Sequence, residues 1–125
     1  MKTTLKELIT SFSASIDLYN YLLKNHHRRT AIAAYHIGNA YGLSKQELSD
    51  LVLAAALHDI GALTVIERNQ LIKMDTENPY PHSRLGYYML ESFQPFHEIA
   101  RIIYYHHWPY EKDGEAPRQI GTVPI

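Results

Sequence analysis

The sequence predicts an all-α fold, a bundle of about five or more helices that form a single domain over residues 1–125. Apolar side chains recur at three- and four-residue steps through most of the chain, which is the period of an amphipathic helix. Ser44 and Glu47 have the spacing of a capping box, and several glycines and prolines separate the periodic segments. We find no segment whose alternation of apolar and polar residues indicates a β-strand.

The expected helices follow one another along the chain. Their approximate ranges are 5–24, 26–41, 44–61, 81–92 and 95–107, with irregular segments at 62–80 and 109–125. The first has apolar residues at helical spacing, namely Leu5, Leu8, Ile9, Phe12, Ile16, Tyr19 and Leu23. Gly42 ends the second helix and the Ser44 capping box begins the third. Pro81 and Pro95 mark the beginnings of the last two.

Composition narrows the classes of partner and compartment. Twelve Lys and Arg against thirteen Asp and Glu give a net charge of −1, so we expect neither a nucleic-acid duplex nor a membrane surface as a partner. The sequence has no cysteine, which excludes disulfides and thiolate metal sites and is typical of the reducing cytoplasm, where we expect the protein to act. No run approaches about 18 apolar residues and the N-terminus has no unbroken apolar core, so we expect no membrane insertion and no signal peptide.

The pair His58-Asp59 ends the third expected helix. Leu51 and Ala55 belong to one apolar face of that helix, and the pair continues this face into the interior. A carboxylate in an apolar interior is costly unless an opposite charge or a metal compensates it. Two adjacent helical residues point about 100° apart, yet at the end of a helix both can reach one ion. The pair therefore predicts a metal site.

Three further helices place a histidine on the side expected to face the core. The expected stripes are His26 with Thr30, Ala33 and Ile37, His82 with Leu85, Gly86, Met89 and Leu90, and His106 with Ile99, Ile102 and Ile103. One inward histidine is more often a hydrogen-bonded core residue than a ligand. Four helices that do this beside a buried aspartate favour a shared metal centre. We expect three other histidines to lie at the surface: His27, His36 and His97.

The ligand types indicate the metal chemistry. Imidazole and carboxylate without thiolate suit divalent Fe, Mn, Zn, Ni or Co. Five histidines, counting His107 beside His106, and one aspartate exceed what one tetrahedral ion needs. The surplus predicts two ions that Asp59 bridges, and paired ions of this kind activate water and hold phosphoryl groups in phosphoesterases.

The spacing of these residues resembles a known family. The matching elements are His26 with Arg29, the run Leu57-His58-Asp59-Ile60-Gly61, His82 with Gly86, the pair His106-His107, and Asp113-Gly114. They resemble the HxxR, LHDIG, HxxxG, HH and DG elements of HD-domain metal-dependent phosphohydrolases, in particular the HD-GYP branch of bacterial signalling phosphodiesterases. The resemblance covers about residues 20–125.

The resemblance implies an HD-domain-like helical bundle, a ligand set and a reaction. The implied ligands are His26, His58, Asp59, His82, His106 and His107, with Asp59 bridging two ions and His58 and Asp59 as the catalytic pair. The implied reaction is hydrolysis of a phosphodiester or phosphomonoester of a nucleotide by water activated at the binuclear site. Cyclic di-GMP or a related cyclic dinucleotide is the substrate that the HD-GYP branch implies.

Three residues near the expected site are candidates for binding substrate. Arg29 is placed to steer phosphate, and Tyr105 and Trp108 flank the histidine pair, where they would stack a base. A solvated arginine at a helix start and amphipathic packing of aromatic residues explain the same positions equally well.

The chain also departs from the family pattern. Ala62 stands where the family has a lysine, and Glu115-Ala116-Pro117 stands where it has Gly-Tyr-Pro. Leu22 occupies the place of a glutamate that creates a third metal site in some members, which favours two ions over three. The last aspartate ligand of the family would follow Ile125, so either the chain is a fragment or the site lacks one ligand.

Two functions follow from the matches and the departures. The retained ligand set favours a hydrolase, whereas the changed residues favour a degenerate module that binds nucleotide or protein in a regulatory role. A purely structural bundle is the third alternative, and it requires neighbouring groups to satisfy every histidine. The sequence leaves open a homodimer and fused signalling domains.

Overall fold

The computed structural model describes residues 4–18, 25–62 and 80–108, and these residues are helical with short connections. Five α-helices and one 3₁₀ turn occur within them: α1 (Leu5–Asp17), α2 (His26–Tyr41), α3 (Lys45–Leu57), α4 (Tyr80–Leu90), the 3₁₀ turn (Gln94–Phe96) and α5 (His97–Tyr105). The all-α prediction is confirmed. No helix in these three ranges is long and apolar enough to cross a bilayer.

Local capping determines where α2 and α3 end and begin. Gly42 closes α2 at φ 82°, a left-handed conformation that suits glycine, and the Leu43 amide donates to the Gly38 carbonyl at 3.1 Å. Ser44 Oγ accepts from the Glu47 amide at 3.3 Å, and Glu47 accepts in return from the Ser44 amide at 2.8 Å. Both predicted signals are therefore confirmed.

A second capping box begins α1 and was not among the predicted signals. The Thr4 side chain accepts from the Glu7 amide, and the Glu7 carboxylate accepts from the Thr4 amide at 2.8 Å. The hydrogen bonds that the Glu7 carboxylate accepts from the Thr4 amide and from the Thr4 hydroxyl lower the pKa of the Glu7 carboxyl group. Thr4 is the N-cap, so α1 begins at Leu5, the first residue predicted for that helix.

The third helix ends earlier than predicted. It stops at Leu57 rather than near Gly61, and His58 is its C-terminal cap. Tight turns follow, in which the Ile60 amide donates to the Leu57 carbonyl and the Ala62 amide donates to the Asp59 carbonyl at 2.9 Å. These turns carry Gly61 against the first turn of α4, where a Cβ on Gly61 would lie only 2.0 Å from the His82 carbonyl oxygen.

The hydrophobic core is built from α1, α3, the turn after α3, α4 and α5. Helix α2 packs on α3, α4 packs on α5, and α3 joins the pairs through its contact with α5, while α1 leans on α2 and α3. The core side chains, all nearly inaccessible, are Ile9, Ala54, Leu57, Ile60, Tyr87, Leu90, Ile99, Ala100 and Ile103. This packing brings one end of each of α2, α3, α4 and α5 toward a common point.

Two predicted apolar stripes are wrong in part. On α2, Ala33 and Ile37 of the predicted stripe are exposed. The buried face is shifted by one residue and contains His27 and Gly38. Gly38 is buried there because leucine side chains from α3 and from the preceding turn occupy the space that a Cβ would need. On α4, Leu85 and Met89 are exposed.

Several sequence predictions lie outside the described residues. They are residues 19–24 with Leu22, most of the loop at 62–80, the elements at Asp113-Gly114 and Glu115-Ala116-Pro117, and the segment that ends at Ile125. The first helix itself ends earlier than predicted, at Asp17 with Leu18 as its C-terminal cap rather than near residue 24.

Candidate metal centre

The Asp59 carboxylate lies at the centre of the histidine cluster. Its Oδ2 atom is 3.0 Å from Nε2 of His58 and 3.8 Å from Nε2 of His26. Its Oδ1 atom is 3.5 Å from Nε2 of His82 and 3.9 Å from Nε2 of His106. The two oxygens of one carboxylate thus face two different sets of imidazoles.

The six residues predicted as ligands converge, and they do so as two groups that share Asp59. In the first group, one donor atom each from His26, His58 and Asp59 lies within 4.8 Å of the others; in the second group, the same holds for Asp59, His82, His106 and His107. The side chains come from the N-terminal ends of α2 and α4 and from the turns just after α3 and α5. Sequence-distant helix ends therefore supply one compact donor set.

Two backbone hydrogen bonds orient imidazoles in this set. Nδ1 of His58 donates to the Ala55 carbonyl at 3.0 Å, and Nδ1 of His106 donates to the Ile103 carbonyl at 2.6 Å. A ring that donates through Nδ1 keeps its lone pair on Nε2 when it is neutral. In both rings Nε2 is the atom that faces the cluster, which is the orientation that metal-binding histidines adopt.

Burial and charge set the protonation of the cluster. Burial lowers the pKa of His106 to about 3 and also lowers the pKa of His26 and His107. Burial opposes the charged form of His58 as well, but the hydrogen bond and the negative charge of Asp59 outweigh it and raise the His58 pKa.

The carboxylate itself is strongly stabilised. Burial raises the pKa of Asp59, but the hydrogen bond from His58 and the positive charge of that ring, whose own pKa is raised, outweigh this and hold the Asp59 pKa well below its usual range. The cluster therefore combines an ionised carboxylate with several neutral imidazole lone pairs near neutral pH. That is the protonation state in which such groups bind a metal.

The donor set fits divalent metal ions. Nε2 of His26 lies 3.2 Å from Nε2 of His58, and Nε2 of His82 lies 3.3 Å from Nε2 of His106. Two donors that each bind one ion at about 2.1 Å are separated by about 3 to 4 Å. Imidazoles and a carboxylate without thiolate are the ligand types of Fe, Mn, Zn, Ni and Co. Distances and ligand chemistry agree with a site for divalent metal.

His27 lies in the interior, so its predicted surface position is wrong. Its side chain is fully buried, and its Nδ1 atom forms a close hydrogen bond with the buried carboxylate of Asp17 on α1. Its ring centre is 5.0 Å from that of His58. The overlooked signal is the spacing of small residues on α2, because Ala31, Ala34 and Gly38 follow His27 at +4, +7 and +11 and allow close helix packing.

The three residues predicted to bind substrate lie on α2, at the end of α5 and just after α5. Arg29 is exposed, Tyr105 is half-buried, and Trp108 is exposed with its ring centre 5.8 Å from that of Tyr105. Their predicted role in binding substrate stays a prediction. His36 and His97 are exposed, as predicted.

We expect the metal-free protein to lose stability as the pH falls below about 6.5. The pKa of His106 is about 3 in the folded protein, below its ordinary value of 6.5. Between these two pH values the unfolded chain therefore binds a proton at His106 that the folded chain does not bind. One such proton changes the free energy of unfolding by up to about 1.4 kcal/mol per pH unit. Urea unfolding in the presence of EDTA at pH 7 and pH 5 measures the difference.

His106→Gln should flatten this pH dependence, and His36→Gln, which changes an exposed histidine on α2, should leave it unchanged. The raised pKa of His58 acts in the opposite direction, so the loss measured in the wild type is the net result. A slope in His106→Gln equal to that of the wild type would contradict the assignment to His106.

The family comparison agrees with this geometry. The HD domain family model matches residues 23–122, a span that contains all six converging side chains. Neither the curated proteins nor the solved structures include a match to this chain. HD domains bind divalent metals, and the His and Asp residues expected for that purpose come together within the matched span. The chain therefore belongs to the HD domain family, within the superfamily of metal-dependent phosphohydrolases.

Proposed function

We propose that this protein is a phosphohydrolase that cleaves a phosphodiester or phosphomonoester of a nucleotide at a site with two divalent ions. The observation that carries the proposal is the position of Asp59, whose two oxygens face two separate groups of imidazoles. A carboxylate placed in this way would serve as a shared ligand of two ions, and a paired site is the usual arrangement for phosphoester hydrolysis. Fe, Mn, Zn, Ni and Co are the candidate metals.

The chain's own residues hold and orient the site. Asp59 supplies the negative charge and one oxygen to each side, while His26 and His58 serve one side and His82, His106 and His107 the other. The Ala55 and Ile103 carbonyls hold the His58 and His106 rings with Nε2 inward. When bound, the two ions would polarise a phosphoryl oxygen and increase the acidity of a water nucleophile.

We further propose that the substrate is a nucleotide, which is more specific than the family assignment. A nucleotide fits the proposal because Tyr105 and Trp108 offer aromatic rings beside the histidine pair, and Arg29 offers an exposed cation at the start of α2. Cyclic di-GMP is the first cyclic dinucleotide to test, because the HD-GYP-like elements imply it. We propose that the reaction takes place in the cytoplasm, where nucleotide substrates are available.

A second function, a regulatory module that binds nucleotide without hydrolysis, is favoured by Ala62. This residue follows the His58–Gly61 turn and is fully buried, with an exposed fraction of 0%. The family has a lysine at this place in the sequence, so the chain offers no cation there to assist a phosphate or a leaving group.

Elemental analysis followed by hydrolysis assays separates the two functions. We expect the purified full chain to contain about two ions of Mn, Fe or a related metal and to hydrolyse bis-p-nitrophenyl phosphate or cyclic di-GMP. Bound metal and nucleotide binding without hydrolysis would favour the regulatory module. Failure to retain any metal after reconstitution with Mn²⁺, or with Fe²⁺ under anaerobic conditions, would contradict the proposed hydrolase.

A further inference from the structure

His27 carries an unsatisfied ring nitrogen in the interior. Its side chain has an exposed fraction of 0%, and among the described residues its Nε2 atom has no hydrogen-bond partner. A buried polar atom without a partner destabilises the fold, so its retention calls for an explanation.

The hydrogen bond at Nδ1 of His27 determines which ring nitrogen carries the lone pair. Nδ1 of His27 donates to Oδ1 of Asp17, and Asp17 is itself buried. The His27 backbone amide approaches the same oxygen at 3.4 Å. Donation through Nδ1 leaves the lone pair of the neutral ring on Nε2. A carboxylate that holds the outer nitrogen of an imidazole is the arrangement that supports metal-binding histidines.

The unpartnered Nε2 atom of His27 lies close to the Asp59 carboxylate. Nε2 of His27 lies 3.7 Å from Oδ2 of Asp59, nearly the same distance as separates Nε2 of His26 from that oxygen, 3.8 Å. An imidazole lone pair and a carboxylate oxygen do not attract each other without a cation between them. Their separation falls in the range of about 3 to 4 Å expected for two donors to one ion.

We propose that His27, held by Asp17, is a further metal ligand on the Oδ2 side of Asp59. The inference rests on the proposed binuclear site and adds a donor that neither the motif comparison nor the histidine stripes predicted. It also connects α1 to the metal, because Asp17 lies before residue 23, where the HD domain match begins. Helix α1 thus contributes a positioning residue to the metal centre.

The test compares metal retention in the Mn²⁺-loaded full chain and its variants. We expect Asp17→Asn to release one of its ions at a chelator concentration about 10- to 100-fold lower than the wild type needs, and His27→Gln to show a larger shift in the same direction. Asp17→Asn keeps an oxygen that accepts from the ring and removes only the charge, so it tests the proposal even if His27→Gln does not fold. His36→Gln, an exposed change on the same helix, is the matched control.

A spectroscopic readout distinguishes a ligand from a histidine that only packs. In the Co²⁺-loaded chain, a liganded His27 gives a hyperfine-shifted signal from its Nδ1 proton, and we expect this signal to disappear in His27→Gln. Unchanged chelator resistance in both variants, or an unchanged number of shifted ring protons in His27→Gln, would overturn the role of His27 and leave the binuclear hydrolase intact. A wild type that binds no ion would overturn both.

Discussion

Asp59→Asn should remove the bound metal and the phosphodiesterase activity together. The substitution preserves the shape of the side chain but leaves a single neutral oxygen where two charged oxygens face His58 on one side and His82 on the other. Loss of an outer supporting group lowers metal affinity about 10- to 100-fold, so loss of the shared central ligand should lower it by more than about 100-fold. Metal content and hydrolysis of bis-p-nitrophenyl phosphate, measured on the same preparation, check the result.

The matched control for this change is Asp50→Asn. Asp50 lies on α3, the helix that ends just before His58 and Asp59. Its carboxylate accepts a hydrogen bond from the Gln46 side chain and belongs to neither donor group. We expect Asp50→Asn to retain wild-type metal content and activity. Full turnover in Asp59→Asn would contradict the proposed mechanism, whereas equal losses in both variants would indicate a general defect of α3.

Gly61→Ala should destabilise the fold by about 3 kcal/mol or more. A Cβ at this position would lie 2.0 Å from the His82 carbonyl oxygen and 2.5 Å from the Gly86 amide nitrogen, and both are backbone atoms of α4. Backbone cannot move aside as a flexible side chain can, so the turn after α3 and the first turn of α4 must separate. That separation would move His82 away from Asp59. Urea unfolding and metal content measure the two consequences.

Gly42→Ala supplies the control for loss of glycine as such. Gly42 has φ 82° and no atom within 4 Å of an added Cβ, so its replacement carries only the strain of a left-handed residue, about 1 kcal/mol. We expect this variant to keep its metal. If Gly61→Ala were no less stable than Gly42→Ala, close contact between the turn and α4 would not be needed for the fold.

Local signals in the sequence predicted most of the helices. The bounds of α2 agree with prediction because Gly42 has a local conformational reason to end it, and α3 begins as predicted because its capping box joins residues three apart. The end of α3 was misplaced because the turns after Leu57 depend on contact between Gly61 and α4, a helix that follows much later in the chain. Such contacts leave no local pattern.

For the candidate site as well, the sequence predicted some residues and missed one. The order and spacing of His26, the His58-Asp59 pair, His82 and the His106-His107 pair led to the HD domain family, which the match over residues 23–122 then established. The burial of His27 was missed because adjacent helical residues point about 100° apart, so a one-residue shift of the buried face of α2 brings His27 into the interior.

The sequence by itself determined the helical class and two helix caps, because propensity and capping act over a few residues, and its motif spacing pointed to the six residues of the candidate metal centre. The tertiary structure alone decided that Asp59 presents one oxygen to each group of imidazoles, and that Asp17 on α1 holds His27 beside it. Those arrangements depend on how α1, α2, α3 and α4 pack, and packing is a property of side-chain volumes that meet across the whole chain.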